Sequence, residues 1–431
     1  VLIVAAKWWP LSARLAIRLI RLGCRVSALC PKGHPLTFVR GLDRVERYRG
    51  MSSLESLYGA LHRTGPDVVV PCDDGVVAQL HALHARQPVL RPLIERSLGE
   101  PRSYPIAACR YRLLEAAAAL EIPTPQTRRA ATVSDLIAWH EHVAPQVVLK
   151  VDGECGGNGV RICRSLDESV AAWEALTARP TRATAWKRLT INRDPLALWA
   201  YHNRKSADVT LQSLIEGRPA NAMVACRGGK VSGIVAVAVL ASEGLTGAST
   251  VIRRIDDPAM ERAAALLAER LGLSGFYGFD FMIEASTRIP YLIEMNPRCT
   301  QLGHLRFGGN PSVAEAFAAD LRGKPQSTSD PLPLDKIALF PQALNETGAS
   351  HAAYGSYLDV PWDEPRLVAE LCKGPWPERR WLSRLYHAVR PMERSTSVEY
   401  SECGYSGART TSPLRLVAMR GAADAEGADP R

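Results

Sequence analysis

The sequence predicts a mixed α/β and α+β protein: an amino-terminal Rossmann-like α/β domain on a parallel sheet, then a hairpin-rich α+β region. Three observations predict it. A strand, a helix and a second strand follow one another within the first thirty residues, as in a right-handed βαβ unit. Two runs of β-formers between Phe276 and Arg298, joined by Ala-Ser-Thr-Arg-Ile-Pro, have the form of an antiparallel hairpin. A chain of 431 residues is long for one hydrophobic core and divides naturally into two or three domains.

Val1 to Ala6 and Arg25 to Cys30 are the first two β runs, and Leu11 to Leu22 between them has helical periodicity that Gly23 ends. Asp67 to Pro71 is a further buried strand, followed by Cys-Asp-Asp-Gly and a helix from about Val76 to Arg86. Ligands of open parallel sheets bind beyond the carboxyl ends of the strands, which sets Asp73 and Asp74 near a cleft; capping of the helix is the plainer reading. The first turn, Ala-Ala-Lys-Trp-Trp-Pro, lacks Gly-x-Gly-x-x-Gly, which argues against a dinucleotide site.

The character of the chain changes near Ser103. Arg110 to Leu120 reads as an Ala-rich helix, broken by the prolines of Glu-Ile-Pro-Thr-Pro. Gln146 to Val151 is a strand carrying Lys150, one of nine lysines, and it runs into four glycines between Gly153 and Val160. Such glycines let backbone N–H groups fold over phosphates, although a glycine-rich hairpin turn beside a surface lysine has the same pattern. Gln212 to Arg218 is a short β segment, Lys230 to Leu240 a longer strand, and Thr246 to Val251 a turn facing substrate or phosphate. Asp256 to Leu271 is an amphipathic helix leading into the hairpin. Beyond Arg298, Gln301 and His304 are placed along the same wall. Asp335 to Pro341 reads as a strand, Asp363 to Leu371 and Arg379 to Val389 as helices, and Gly421 to Arg431 as a disordered end.

The hairpin carries the chemistry. Glu294, Asn296 and Arg298 are spaced by two, which places them on one face of an extended strand, with Leu292 beside them and Ile293 and Met295 facing away. Asp280 adds a second carboxylate from the neighbouring strand. Clustered carboxylate and amide oxygens suit a hard cation that keeps part of its water shell, as magnesium does. Arg298 is then placed to hold phosphate oxygens that the metal also touches. An edge hairpin with ordinary charge pairs is the bland alternative. The coincidence of Glu-x-Asn-x-Arg with the paired Asp outweighs it.

Gly-Phe-Asp-Phe followed by Ile-Glu-Met-Asn-Pro-Arg resembles the metal-binding end of the ATP-grasp superfamily, and further marks follow in family order over roughly residues 1 to 325. The resemblance implies a Rossmann-like pre-ATP-grasp domain over 1–102, a two-lobed ATP-grasp domain over 103–325 and a carboxyl-terminal extension over 326–431. ATP and magnesium are the implied cofactors, with manganese as an alternative ion. By motif match Asp280, Glu294 and Asn296 are the metal ligands, and Arg298 is the catalytic residue on the reacting phosphate. Arg110 stands where the family has a phosphate-binding lysine. Lys150, Gly156, Gly157 and Gly159 match the phosphate loop, and Gln212 and Ile215 match the adenine-binding hinge. Many relatives carry a ribose-binding Glu just after Gly-Arg, where this chain has Pro219.

The activity implied is that of an ADP-forming carboxylate–amine ligase, which activates a carboxylate as an acyl phosphate and joins it to an amine or similar nucleophile. A carboxylation through carboxyphosphate, as in biotin carboxylase or carbamoyl-phosphate synthase, and a degenerate nucleotide-binding or regulatory protein are the alternatives within the same fold. Glu294→Ala is expected to remove magnesium-dependent turnover with little effect on folding.

Composition agrees with an enzyme of small molecules. Hydrophobic residues at 46% and charged residues at 23% are those of a soluble globular protein, and no apolar run is long enough to span a bilayer. The chain shows no signal-peptide pattern. Ten cysteines lie singly, which argues against a zinc site or a disulfide framework and makes the cytoplasm the simplest setting. The net charge of +9 is mostly arginine, dispersed and without a nucleic-acid motif. The expected partners are therefore a small carboxylate and an amine or other nucleophile, with a homodimer left open.

Overall fold

Three sheets divide the chain in sequence order in the computed structural model, which describes residues 1–152, 159–178, 181–192, 194–203, 209–308, 311–324, 331–345, 351–375, 379 and 397–400. The first sheet is parallel throughout and contains β1 (Leu2–Val4), β2 (Ser27–Cys30), β3 (Val45–Arg47) and β4 (Val69–Pro71), in the order β3-β2-β1-β4. β1, β2 and β4 are buried along their whole length, as parallel strands covered on both faces are. One face is covered by α1 (Leu11–Arg21). The other is covered by α2 (Ser53–Thr64), α3 (Asp74–Arg86) and α4 (Arg91–Leu98). Two helices, α5 (Tyr104–Ala107) and α6 (Arg110–Ala118), lead out of this region.

The second sheet is antiparallel and has the order β5-β8-β6-β7, from β5 (Thr127–Ala130), β6 (Val147–Val151), β7 (Val160–Cys163) and β8 (Val209–Gln212). Its own core is closed by α7 (Val133–His142) and α8 (Leu166–Thr177) around Trp139, which is wholly buried. Burying a large apolar side chain of this kind stabilises by roughly 1.5–3 kcal/mol, and this core shares no residue with the others. α9 (Arg182–Thr190) and α10 (Ala197–Asn203) fill the connection between α8 and β8 and rest on the first region, where Leu189 and Pro195 approach Gly50 and Leu196 approaches Gly75.

The third sheet is the largest. β9 (Gly217–Arg227), β10 (Lys230–Glu243), β11 (Ser249–Ile255), β12 (Gly275–Glu284) and β13 (Pro290–Asn296) run antiparallel to their neighbours in the order β13-β12-β9-β10-β11. β14 (Lys336–Ala338) and β15 (Tyr357–Leu358) extend that edge, and β16 (Ser397–Glu399) pairs with the end of β10. α11 (Pro258–Leu271), capped by the Asp257 side chain, packs with α6 on one face. α12 (Val313–Arg322) packs on the other, where its Phe317 shares a continuous core with the first sheet. α13 (Gln342–Asn345) and α14 (Pro365–Leu371) complete the described helices.

Buried charge ties α12 and the segment after β14 to the amino-terminal region. Asp359 accepts from Arg14 at 2.6 Å and is 2.6 Å from His304 Nε2, and Arg18 pairs with Glu315 at 2.7 Å. His304 is thus occupied in a buried network rather than along the site wall.

Two expectations are corrected here. Gln212 to Arg218 is not one strand: β8 ends at Gln212, and Ser213 to Glu216 carries the chain from the second sheet into the third. Thr246 to Val251 is only partly a turn, because β11 starts at Ser249. Helix 379–389 and the end 421–431 lie outside the described residues apart from Arg379.

Candidate active site

The hairpin β12–β13 forms as its sequence predicts, but with a bulge that changes its faces. Asp280 pairs with Glu294 and Phe281 pairs with Leu292, so Ile293 is the extra residue. Leu292 therefore points into the core with Phe279, Phe281 and Met295, wholly buried, and Ile293 joins Glu294 in lining the cleft. Strict alternation predicts the reverse, with Leu292 on the polar face and Ile293 away from it. One inserted residue shifts the period by one and accounts for both corrections.

Asp280 is the centre of the cluster. Its Oδ1 accepts from Asn221 Nδ2 at 2.6 Å, and its Oδ2 accepts from Asn296 Nδ2 at 3.0 Å. Asn221 is its register partner on β9. Gly278, opposite Asn296, leaves room for this packing, since a Cβ there would meet Thr300 Cγ2 at 2.3 Å. Burial, reinforced by the nearby charge of Glu294, pushes the Asp280 carboxyl up to about 6, with the Asn221 and Asn296 hydrogen bonds opposing the rise.

The two arginines hold the flanking acids. β13 ends at Asn296, and the Arg298 N–H donates to the Asn296 carbonyl at 2.8 Å, so Arg298 sits on a turn rather than on the strand face. From there its Nη2 reaches Asn296 Oδ1 at 3.0 Å and its Nε reaches Asp74 Oδ1 at 3.0 Å. Arg110, at the start of α6, donates to Glu294 at 2.8 Å and to Asp152 at 3.3 Å. Burial works against the Arg110 charge, but Glu294 and Asp152 outweigh it and raise its pKa. Asp73 proves to be both cap and cleft wall: it accepts from Val76 N at the head of α3 and from Ala6 N, and it borders the open space.

A cleft runs between the second and third sheets past this cluster. One end, about 930 Å³ of empty space, is lined by Lys150 and Val148 of β6, Gln212, Ile215, Ile293 and Glu294. Gln212 donates to the carbonyl of the bulged Ile293 at 3.4 Å, linking the two sheets at the hinge. Lys150 is 6% exposed, and burial, aided by Arg110, pulls its ammonium down to about 8 against the attraction of Glu294 and Asp280. The other end, about 1250 Å³, is bordered by Gly159, Arg110, Asn296, Arg298, Gln301 and the Lys7-Trp8-Trp9 turn. Asp280, Glu294, Asn221 and Thr246 border both ends, so the space is continuous. Gly159 closes the β6–β7 hairpin by accepting from Val151 N at 3.0 Å. Gly156 and Gly157 lie outside the described residues.

Asn221 and Asp152 were not legible as site residues. Asn221 matters only because β9 is paired in register with β12, and Asp152 only because β6 ends against α6. Lys7 and the two Trp residues could have been suspected from the rule that open sheets bind ligands beyond strand ends.

The donor set fits a hard cation. Asp280 and Glu294 offer carboxylate oxygens and Asn296 an amide oxygen, and a cation would offset the burial and the neighbouring Glu294 charge that lift Asp280. Among the described residues no three His, Cys, Asp or Glu side chains cluster for a metal. Magnesium is commonly bound by one or two carboxylates, with water and phosphate oxygens completing its shell, so the set suits magnesium better than zinc. The eight described cysteines form no disulfide, and no described helix is long and apolar enough to cross a membrane.

Comparison with known proteins gives the same fold. Residues 195–301 match the sequence profile of the ATP-grasp domain. No curated protein matches the chain in sequence. The biotin carboxylase domain of Hydrogenobacter thermophilus 2-oxoglutarate carboxylase, solved with MgADP, ADP and bicarbonate, superposes with a TM-score of 0.53 at 14% identity, over 76% of this chain and 71% of that one. N5-carboxyaminoimidazole synthetase from Staphylococcus aureus, complexed with ADP, gives 0.53 at 14% identity over 76% and 78%. The N5-carboxyaminoimidazole ribonucleotide synthetase of Thermus thermophilus gives 0.51 at 17% identity over 77% and 80%. The segment that matches the ATP-grasp domain contains β9 to β13 and the Asp280 cluster, and the chain shares the fold of these solved structures.

Proposed function

We propose that this protein is an ATP- and magnesium-dependent ligase that activates a carboxylate as an acyl phosphate and joins it to an amine. The observation that carries this reading is the partly buried cluster of Asp280, Asn296 and Glu294 at the middle of a cleft whose one end is lined by Lys150. The similar structures that hold ADP or MgADP support the choice of nucleotide and ion. The boundaries we assign are 1–102 for the pre-ATP-grasp domain, 103–325 for the ATP-grasp domain and 326–431 for the carboxyl-terminal segment.

Adenine belongs in the end bordered by Gln212, Ile215 and Ile293, where apolar walls meet a buried amide. Lys150 supplies positive charge for the phosphates inside the cleft, and Gly159 borders the same space. Asp280, Glu294 and Asn296 would hold magnesium, or manganese in its place, and the ion would supply charge neutralisation at the transferring phosphoryl group. Arg298, anchored by Asp74 and Asn296, faces the same space and takes the developing negative charge on the phosphoryl oxygens. Arg110, itself buried, fixes Glu294 in place by an ion pair. In the ligation a substrate carboxylate oxygen bonds to the γ-phosphorus as ADP leaves. The amine nitrogen then bonds to the acyl carbon, phosphate departs and the amine proton is released.

The test is transfer of label. With acids carrying ¹⁸O in the carboxylate, supplied in a panel with amines and Mg-ATP, an acyl phosphate intermediate places one ¹⁸O in the phosphate product. ADP release without label in phosphate would point to hydrolysis instead, and absence of both would leave a nucleotide-binding protein.

A further inference from the structure

One wall of the nucleotide end of the cleft comes from far along the chain. Tyr400 borders the same space as Lys150, Gln212 and Ile215, whereas the other residues around it lie between Val148 and Glu294. β16 brings it there. β9 follows β10 no further than Ala220 opposite Ala238, and the edge of β10 beyond that point is taken by β16, with Val398 opposite Ser242. The Tyr400 N–H continues the ladder by donating to the Leu240 carbonyl at 2.9 Å. Val398 is buried, and Glu399 accepts from Ala352 N at 3.3 Å. Backbone pairing, an apolar anchor and a side-chain hydrogen bond therefore all set the position of Tyr400.

The hydroxyls at this wall have a direction. Ser242 is buried and donates its one proton to the Gly244 carbonyl at 2.7 Å, and its oxygen lies 3.4 Å from the Tyr400 hydroxyl. With that proton committed, Ser242 is the acceptor of the pair and the phenol is the donor. The phenol oxygen then offers its lone pairs, and the group that suits it across the cleft is a donor. Nearby, Ser249 donates to Asn221 at 3.3 Å and Asn221 donates to Asp280, so these two are engaged with one another and with the acidic cluster. Adenine at the hinge and phosphates at Lys150 leave the sugar to span the interval, and its hydroxyls are the donors it carries there.

We propose that the carboxyl-terminal segment is a working part of the nucleotide site: β16 carries Tyr400 to the cleft, where the phenol oxygen accepts a hydrogen bond from a sugar hydroxyl of the bound nucleotide. The proposal rests on the nucleotide reading above and assigns a residue that lies outside the stretch matching the ATP-grasp domain. It carries a reciprocal consequence. A nucleotide held better when β16 is in place must in turn hold β16 in place, by the same factor.

The probes are ADP, 2′-deoxy-ADP and 3′-deoxy-ADP with magnesium, titrated by calorimetry into the full chain and into Tyr400→Phe, which keeps the ring and removes the hydroxyl. One hydrogen bond of ordinary strength corresponds to about five-fold in affinity. The expected result is that one of the two deoxy nucleotides binds the wild type about five-fold more weakly than ADP, and that Tyr400→Phe loses this preference by losing affinity for ADP alone. Hydrogen exchange at the amides of Val398 to Tyr400 should slow when ADP binds the wild type, and slow less in the variant. Three nucleotides bound alike by the wild type, the same preference in both proteins, an equal loss of all three in the variant, or exchange in β16 that ADP does not change would each overturn the proposal and leave the nucleotide reading standing. A wild type that binds no ADP overturns that reading, and the proposal with it.

Discussion

Lys150→Met should make the protein more stable while weakening its hold on nucleotide. Lys150 is 6% exposed, and its ammonium is pulled from 10.5 to about 8, chiefly by burial. Each unit of such a shift corresponds to about 1.4 kcal/mol, so the folded state carries roughly 3 kcal/mol of penalty for keeping this lysine charged at neutral pH. The sign follows from proton binding. Between about 8 and 10.5 the unfolded chain binds more protons at this lysine than the folded one, so stability rises with pH across that window and the full penalty applies below it. Methionine removes the charge and keeps the shape. Removing Lys150 also withdraws a cation from Glu294 and Asp280, which makes about 3 kcal/mol an upper limit.

Denaturant unfolding at pH 7 should show a gain of about 1–3 kcal/mol for the variant, shrinking as pH approaches 10. Calorimetry should show weaker ATP binding by ten-fold or more. In the wild type, binding above pH 8 should take up a proton, read from buffers of different ionisation enthalpy, because a phosphate restores the ammonium. A destabilised variant with unchanged ATP affinity would refute the reasoning.

Leu292→Ala should destabilise by about 2–5 kcal/mol without altering nucleotide affinity, and Ile293→Ala should weaken ATP binding several-fold with stability changed by less than about 1 kcal/mol. Chemical denaturation and calorimetry on the pair distinguish this from the reverse pattern that simple alternation demands. Glu294→Ala should lower stability by about 1.5–3 kcal/mol, because it removes a charge-assisted hydrogen bond from the buried Arg110 and leaves Asp152 as its carboxylate partner. That differs from the small effect expected from sequence; Glu294→Gln, which keeps an acceptor for Arg110, should lose magnesium dependence with a smaller stability change. Asp359 is held below the usual carboxylate range: burial opposes this, but Arg14 and His304 prevail. Its contribution is present above the unfolded carboxyl pKa and is lost as pH falls through the folded one, so acid unfolding of Asp359→Asn should set in at higher pH than in wild type only if that ion pair forms.

The hairpin was legible because its signals are local: β-formers, a polar turn and four polar side chains within twenty-three residues. The bulge at Ile293 was not, since a period of two holds only while each residue faces one partner. Arg110 was placed correctly at the head of a helix, but its partners Glu294 and Asp152 come from two different sheets, and no spacing in the chain encodes that meeting. Asn221 illustrates the same limit from within a strand: its neighbours in sequence are Ala220 and Ala222, and only the register of β9 on β12 sets it on Asp280. A chamber beside the cleft, under α10, was invisible for a further reason. Its lining joins a turn near residue 7, a helix head near 74, a strand end at 152 and the helices near 188 and 199, segments that share no pattern.

The most direct test of a magnesium–nucleotide site at Asp280 is thermal unfolding of wild type and Glu294→Gln with ATP, with and without magnesium. Ligand at about a hundred times its dissociation constant adds roughly 2.7 kcal/mol when it binds only the folded state. The account predicts a stabilisation in the wild type that needs magnesium and is largely lost in the variant. Equal magnesium-dependent stabilisation of both proteins, or none in the wild type, would contradict it.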